Sequence, residues 1–198
     1  MKKTTFLIDN GHGGLINGIP QTAGKSSPDF GKGILYEGVS NRDITKEVLR
    51  LCKNEGITAI NLVPELEDIS LAERVKRANK YTNAVLISLH SNAAATEQAS
   101  GWEIFSTLGQ NNSDKVAEVI YSEMKKAFPF AKFRTENLDG DSDKESDFYI
   151  IKKSNCIAVL VENFFMTNKK DYELLISKEG KEKIAMAVFE AIKKINKW

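Results

Sequence analysis

The amino-acid sequence predicts an α/β fold, a twisted and mostly parallel sheet of about six strands with helices on both faces. Two observations lead to this prediction. Short apolar runs rich in β-branched residues recur along the chain, and segments with a helical spacing of apolar residues lie between several of them. The length of 198 residues suits one compact domain, so we expect a single domain over residues 1–198.

Each predicted strand is too short and too continuously apolar to be an exposed helix, which favours strands that are buried on both faces. Parallel strands between two layers of helices have this composition. The six runs are Thr5 to Ile8, Ile57 to Val63, Ala84 to Leu89, Trp102 to Ser106, Phe148 to Ile151 and Ile157 to Val161.

Capping residues predict where helices begin and end. Ser40 with Asp43 three residues later opens one helix, and Gly56 closes it. Ser70 with Glu73 opens a second helix in the same way. Two further helices are predicted by the period of their apolar residues, which are Val116, Val119, Ile120 and Met124 in one and Ile184, Val188, Ile192 and Ile195 in the other.

Two segments follow neither pattern. Leu15 to Tyr36 is rich in glycine and proline, which predicts a long loop close to any site that follows the first strand. The segment from Glu136 to Asp147 carries the acidic residues Asp139, Asp141 and Asp143. A helix-flanked calcium loop needs glycine at its sixth position and glutamate at its twelfth, where this chain has Lys144 and Ile150, so we expect a solvated surface loop.

Composition excludes several classes of partner and compartment. Twenty-eight Lys and Arg residues against 27 Asp and Glu residues leave no field to hold a polyanion, so we expect no nucleic-acid partner. No stretch of about 18 apolar residues is present to insert into a membrane. The run after Met1-Lys2-Lys3 ends at Asp9 with no cleavage site, which predicts synthesis in the cytoplasm without a signal peptide. Cys52 and Cys156 lie in apolar segments and are expected to be free thiols.

Both histidines of the chain follow predicted strands. His12 comes directly after the first strand and His90 ends the third. Ligands bind an α/β sheet at the carboxyl ends of its strands. One such histidine alone is more often a loop residue bonded to backbone, but two from a total of two favour a shared site.

Two carboxylates add to this set. Glu162 ends the apolar run of the last predicted strand, and Glu37 precedes the first helix. Two histidines and one glutamate with an open position form a ligand set of catalytic zinc, and a further carboxylate can then act as general base. These patterns alone do not say which glutamate has which role.

Five motifs together resemble the zinc-dependent N-acetylmuramoyl-L-alanine amidases of the third amidase family, in that family's order and over essentially the whole chain. They are Ile8-Asp9-Asn10-Gly11-His12-Gly13-Gly14, Glu37 before a helix, Leu71-Ala72-Glu73-Arg74-Val75 with Ala78-Asn79, Ser88-Leu89-His90-Ser91-Asn92-Ala93 and Val159-Leu160-Val161-Glu162-Asn163-Phe164-Phe165. The resemblance implies a six-stranded sheet and a Zn²⁺ cofactor, with His12, Glu37 and His90 as metal ligands and Glu162 as the catalytic base.

The implied reaction is hydrolysis of the amide bond between the lactyl group of N-acetylmuramic acid and L-alanine in peptidoglycan. The implied setting is phage lysis or autolysis, in which a catalytic domain without a separate wall-binding domain acts on the cell wall after release. Asp9, Asn92 or backbone amides of the glycine-rich turn are candidates to orient the ligands or stabilise the oxyanion. Two departures stand out: Asn10 replaces a common proline, and the stretch from Asn61 to Pro64 lacks the arginine of a frequent Thr-Arg pair.

Three alternatives remain open at this point. A zinc peptidase that cuts within the stem peptide would use the same chemistry. A non-catalytic peptidoglycan-binding module would not need Glu162 at a strand end. A structural metal site would be closed by a fourth protein ligand, often cysteine, and neither cysteine lies in a suitable motif.

Overall fold

A computed structural model of the chain describes residues 3–136 and 140–198. Its strands are β1 (Thr5–Asn10), β2 (Leu15–Ile16), β3 (Ile19–Pro20), β4 (Ala59–Asn61), β5 (Ala84–Asn92), β6 (Glu103–Ser106), β7 (Lys144–Glu145) and β8 (Ile157–Phe165). Its helices are α1 (Glu37–Asn54), α2 (Leu71–Ala78), α3 (Asn112–Ala127), α4 (Tyr149–Lys152), α5 (Lys169–Ile176) and α6 (Lys178–Ile195).

Six strands form one sheet in the order β4-β1-β5-β8-β6-β7. All neighbours in it run parallel except β6 and β8, which pair antiparallel. The predicted α/β class and the mostly parallel sheet are therefore confirmed. The central strands β1, β5 and β8 run in the same direction, so their carboxyl ends meet at one edge.

Helices cover both faces of the sheet. On β1, Phe6 and Ile8 pack into the larger core with residues of α1, α3 and α6, whereas Leu7 packs into a smaller core with residues of α2 and α4. All three side chains are fully buried. Successive side chains of a strand point to opposite faces, so two covered faces explain why the runs are continuously apolar.

The predicted boundary of α2 is confirmed, since the side chain of Ser70 accepts a hydrogen bond from the backbone N–H of Glu73. The predicted start of α1 is wrong. This helix begins at Glu37, and Ser40 lies inside it, buried. The preceding loop decides the start, because the N–H of Glu37 donates to the carbonyl of Lys25.

The predicted strand from Phe148 to Ile151 is also wrong. Tyr149–Lys152 forms the short helix α4, and its two adjacent residues Ile150 and Ile151 both pack into the smaller core. A four-residue apolar run does not distinguish strand from helix. The sixth strand is instead Lys144–Glu145, which carries no apolar signal.

The acidic segment is not a solvated loop throughout. Asp143 is only 2% exposed, whereas Asp139 lies outside the described residues.

Both cysteines are free thiols, and burial raises the pKa of Cys52 to about 11. Within residues 3–136 and 140–198, no helix is long and apolar enough to cross a membrane.

Candidate metal centre

The four residues singled out in the sequence come together at the carboxyl edge of the sheet. His12 follows β1, and His90 and Glu162 lie opposite each other on the parallel strands β5 and β8. Glu37 is the first residue of α1, which starts beside them. Two strands, the turn after a third strand and one helix thus each supply one polar side chain to a common site.

Glu37 bridges the two histidines. Its Oε2 atom lies 3.3 Å from Nε2 of His12, and its Oε1 atom lies 3.1 Å from Nδ1 of His90. Oε1 also accepts a hydrogen bond of 3.1 Å from the N–H of Ser91. The potential ligand atoms of His12, Glu37 and His90 all lie within 4.8 Å of one another. This spacing allows all three to reach one ion.

Two glycines make this convergence possible. A Cβ atom on Gly11 would lie 2.2 Å from Cε1 of His90, so only glycine lets the imidazole ring pack on the turn after β1. A Cβ atom on Gly38 would lie 1.9 Å from the carbonyl oxygen of Gly13, so the first turn of α1 contacts the same turn directly. His12 itself has a φ of 68°, a left-handed conformation that costs a side-chain-bearing residue energy.

The electrostatics of the cluster favour a negatively charged Glu37. Burial would raise the pKa of Glu37, but hydrogen bonds from His12 and His90 outweigh it and hold this pKa well below its usual range. For His90, burial would lower the pKa, and the hydrogen bond and charge of Glu37 raise it instead. A buried anionic carboxylate that attracts positive charge suits a cation. Two imidazoles and one carboxylate are donors that zinc accepts, with a fourth position left open.

Glu162 differs from Glu37 in that its carboxylate is poorly compensated. Its Oε2 atom is buried and has no hydrogen-bond partner among the described residues. Burial raises the pKa of Glu162 to about 7; His90 and Lys25 oppose this shift, and the charges of Glu37 and Glu103 add to it. A carboxylate with this pKa can both accept and release a proton near neutral pH.

Glu103 is a site residue that the sequence analysis missed. It lies opposite Glu162 on β6 and is 3% exposed. Nε of Arg134 lies 2.5 Å from one of its oxygens and Nζ of Lys144 lies 3.0 Å from the other. A charged residue inside an otherwise apolar strand was the available signal. The cations that hold it come from distant segments and were not predictable.

Arg42 anchors the turn that carries His12. From α1, its guanidinium donates to the carbonyl oxygens of His12 at 2.7 Å, Gly38 at 2.9 Å and Glu65 at 2.7 Å. Arg42 thereby connects the loop after β4 to the turn that carries His12. That loop lacks the arginine of the frequent Thr-Arg pair, and here an arginine of α1 makes the connection. Helical spacing alone gave no sign of this role.

The other candidate orienting residues have separate partners. Asp9 is buried between the guanidinium of Arg74 and the hydroxyl of Ser88, each at 2.6 Å. Asn92 donates to Glu103 at 3.4 Å and accepts from the N–H of Ala93 at 2.8 Å. Asp9 therefore supports the sheet edge, and Asn92 contacts the Glu103 network.

A cavity of about 300 Å³ opens beside the two histidines, lined also by Asp9, Gly11, Asp68, Ile69, Ser70, Leu71 and Arg74. The predicted Leu15 to Tyr36 loop borders this region and contains the small β2–β3 hairpin. The hydroxyl of Thr22 accepts a hydrogen bond from the N–H of Gly13 and donates one to Asp68. The loop is therefore bonded both to the turn after β1 and to the segment before α2.

Two imidazoles and a carboxylate that could hold a cation lie next to a carboxylate that can exchange protons, at the carboxyl edge of a parallel sheet. This combination is typical of metal-dependent hydrolases. Comparison with known proteins identifies the particular family. The family model described as N-acetylmuramoyl-L-alanine amidase matches residues 6–194, and the chain belongs to this family. The resemblance inferred from the sequence motifs is confirmed.

Two relatives and one solved structure match almost the whole chain. The chain is 30% identical over 190 residues to YqiI of Bacillus subtilis, covering 95% of this chain and 82% of YqiI. It is 31% identical over 196 residues to the N-acetylmuramoyl-L-alanine amidase LytC of the same organism, covering 94% of this chain but 34% of LytC. The crystal structure of an N-acetylmuramoyl-L-alanine amidase from Clostridium difficile 630 has the same fold, with a TM-score of 0.82 at 24% identity over 98% of this chain and 97% of that chain.

Proposed function

We propose that the protein is a zinc-dependent amidase that hydrolyses the bond between the lactyl group of N-acetylmuramic acid and L-alanine in peptidoglycan. The observation that carries the proposal is the position of Glu162. The half-buried Glu162 side chain, whose Oε2 atom is buried without a hydrogen-bond partner among the described residues, lies opposite His90 on the neighbouring strand. Its pKa is raised, and it lies beside the three potential metal ligands. Family membership adds the substrate class.

His12, Glu37 and His90 would hold the zinc ion. When bound, zinc supplies a Lewis acid that polarises the carbonyl of the scissile amide and makes water more acidic. Glu37 keeps its negative charge beside both imidazoles, so the three side chains would present one anionic oxygen donor and two imidazole nitrogens to a dication. The N–H of Ser91 fixes the orientation of the Glu37 carboxylate.

Glu162 would act as the base and then as the acid. It accepts the proton of the attacking water and returns it to the nitrogen of the leaving alanine, because an amide nitrogen leaves poorly without a proton. Its unpaired Oε2 atom is free to take that proton. We assign Glu103 a supporting role, since its negative charge helps to keep the pKa of Glu162 high.

The test is a digest of purified peptidoglycan by the zinc-loaded chain, followed by mass spectrometry of the products and metal analysis of the protein. An amidase releases peptides that begin with a free L-alanine amine and leaves glycan strands intact. Peptides cut at an internal bond would instead indicate a peptidase that acts on the stem. Glu162→Gln is the matched control for contaminating activity. A product mixture that is the same with this variant contradicts the proposal.

The bacterial cell wall is the corresponding place of action. We propose that residues 1–198 form one catalytic domain, of which the family model matches residues 6–194.

A further inference from the structure

A second group of acidic side chains lies outside the metal centre, at the β7 edge of the sheet. Asp114 is in the first turn of α3, and Asp141 and Asp143 precede β7. One carboxylate oxygen from each residue lies within 4.8 Å of the others. Among the described residues, the Oδ1 atoms of Asp114 and Asp143 are buried and have no hydrogen-bond partner.

This arrangement is costly without a counter-charge. Asp143 is 2% exposed and Asp114 is 9% exposed, and buried charges are normally paired or bound to a metal. Three carboxylates this close need either a shared proton or a cation between them.

We propose that Asp114, Asp141 and Asp143 bind a Ca²⁺ ion. The donors are all carboxylate oxygens, which suit a hard cation, whereas zinc favours nitrogen and sulfur. Calcium takes about six to eight oxygens in flexible geometry, and three carboxylates with water can supply them. A cavity of about 460 Å³ opens beside the cluster and leaves room for that water; it is lined by Gln110, Asn111, Asp114, Lys115, Glu118 and Asp141.

The ligands belong to two segments that are already fixed to each other. The carboxylate of Asp114 accepts a hydrogen bond from the N–H of Asn111, which holds it against the start of α3. The N–H of Ser142, between the other two ligands, donates to Glu118 of α3 at 2.6 Å. The site is therefore assembled by tertiary structure, which is why the spacing of a twelve-residue calcium loop did not reveal it.

Binding here would stabilise the side of the sheet that supports Glu162. The segment continues into β7, where Lys144 pairs with Phe105 of β6 and its ammonium group contacts Glu103 at 3.0 Å. Glu103 lies opposite Glu162 in the sheet. A bound cation would therefore fasten the loop that delivers Lys144 to this network.

The first measurement is titration of the zinc-loaded wild-type chain with CaCl₂, by calorimetry and by thermal unfolding. We expect one Ca²⁺ per chain and a midpoint raised on the order of 5 °C at about 10 mM, roughly a hundred times a Kd of about 10⁻⁴ M. No heat and no shift at that concentration would overturn the proposal. A response to Mg²⁺ but not to Ca²⁺ would overturn the choice of ion.

The second measurement repeats the titration with Asp143→Asn and Asp141→Asn, and with Asp147→Asn as a control. Asp147 is exposed and pairs with Lys152 at 2.7 Å, outside the cluster. We expect the first two variants to bind Ca²⁺ at least about tenfold more weakly, since even losing a hydrogen-bonding partner of a ligand costs that much. The control should bind like wild type.

Folding and location are checked in the same experiment. Without calcium, Asp143→Asn should unfold at a temperature no lower than wild type, because it removes a repulsive buried charge; if it does not fold, the half-buried Asp141→Asn decides. Unchanged Ca²⁺ binding in these variants overturns the proposal. A Ca²⁺ response that His90→Ala abolishes and Asp143→Asn keeps would assign the ion to the metal centre, and would overturn it too.

Discussion

Glu162 and His90 lie directly opposite each other on the neighbouring parallel strands β8 and β5. They form the last pair before the register of the two strands shifts. The register of the two strands therefore sets the separation of the proposed base and the proposed metal ligand. Phe164, two residues beyond Glu162, has a φ of 64°, so the backbone departs from strand geometry immediately after the pair. Strain of this kind clusters at functional sites.

Replacement of Glu162 by Gln keeps the shape of the side chain and removes its ability to exchange a proton. We expect Glu162→Gln to retain zinc and lose about 10² to 10⁴ in turnover. Zinc content and initial rate on peptidoglycan, measured on the same preparation, test this. A variant that has lost its metal would instead assign Glu162 to ligation.

Glu37→Gln should give the opposite result. The amide of glutamine is neutral, so the negative charge beside both imidazoles is lost. Because a neutral amide oxygen is a weaker ligand for a dication than a carboxylate, the affinity for zinc should fall. Competition with a chelator of known affinity measures the change, and Glu162→Gln is the control. If Glu37→Gln keeps its zinc while Glu162→Gln loses it, the roles of the two glutamates are reversed.

Glu103→Gln should shift the pH dependence of the reaction. The charge of Glu103 raises the pKa of Glu162, and its removal leaves Arg134 and Lys144 uncompensated nearby, so the pKa of Glu162 should fall. Glu162 must be deprotonated to act as a base, so the acid limb of kcat/KM should move to lower pH. A profile that keeps its acid limb while only the maximum rate drops would show that Glu103 is merely structural.

Arg42→Met should reduce both stability and metal affinity. The change leaves three carbonyl oxygens without their charged donor, which we expect to cost about 2 to 4 kcal/mol of unfolding free energy. Denaturant unfolding and zinc competition are the measurements. Arg50→Met, on the same helix but in an exposed pair with Glu47, is the matched control and should change little. Equal effects of the two variants would argue against an anchoring role for Arg42.

The sequence predicted most of what depends on strand ends and little of what depends on side-chain networks. His12, His90 and Glu162 follow apolar runs, so their convergence could be inferred from the topology of parallel strands. The role of Glu37 as a metal ligand was then implied by the motif resemblance. Arg42 and Glu103 were missed because their partners are set by packing between distant segments. The helix at Tyr149 was missed because tertiary burial, not periodicity, decides a run of four residues.

The close contact between Gly11 and the ring of His90 also constrains how the chain can change. A methyl group at Gly11 would need space that only movement of the ring could provide, and that movement would displace a proposed metal ligand. We therefore expect a substitution at Gly11 to abolish catalysis while much of the sheet remains intact. Such a variant would provide an inactive protein for trapping uncleaved wall fragments.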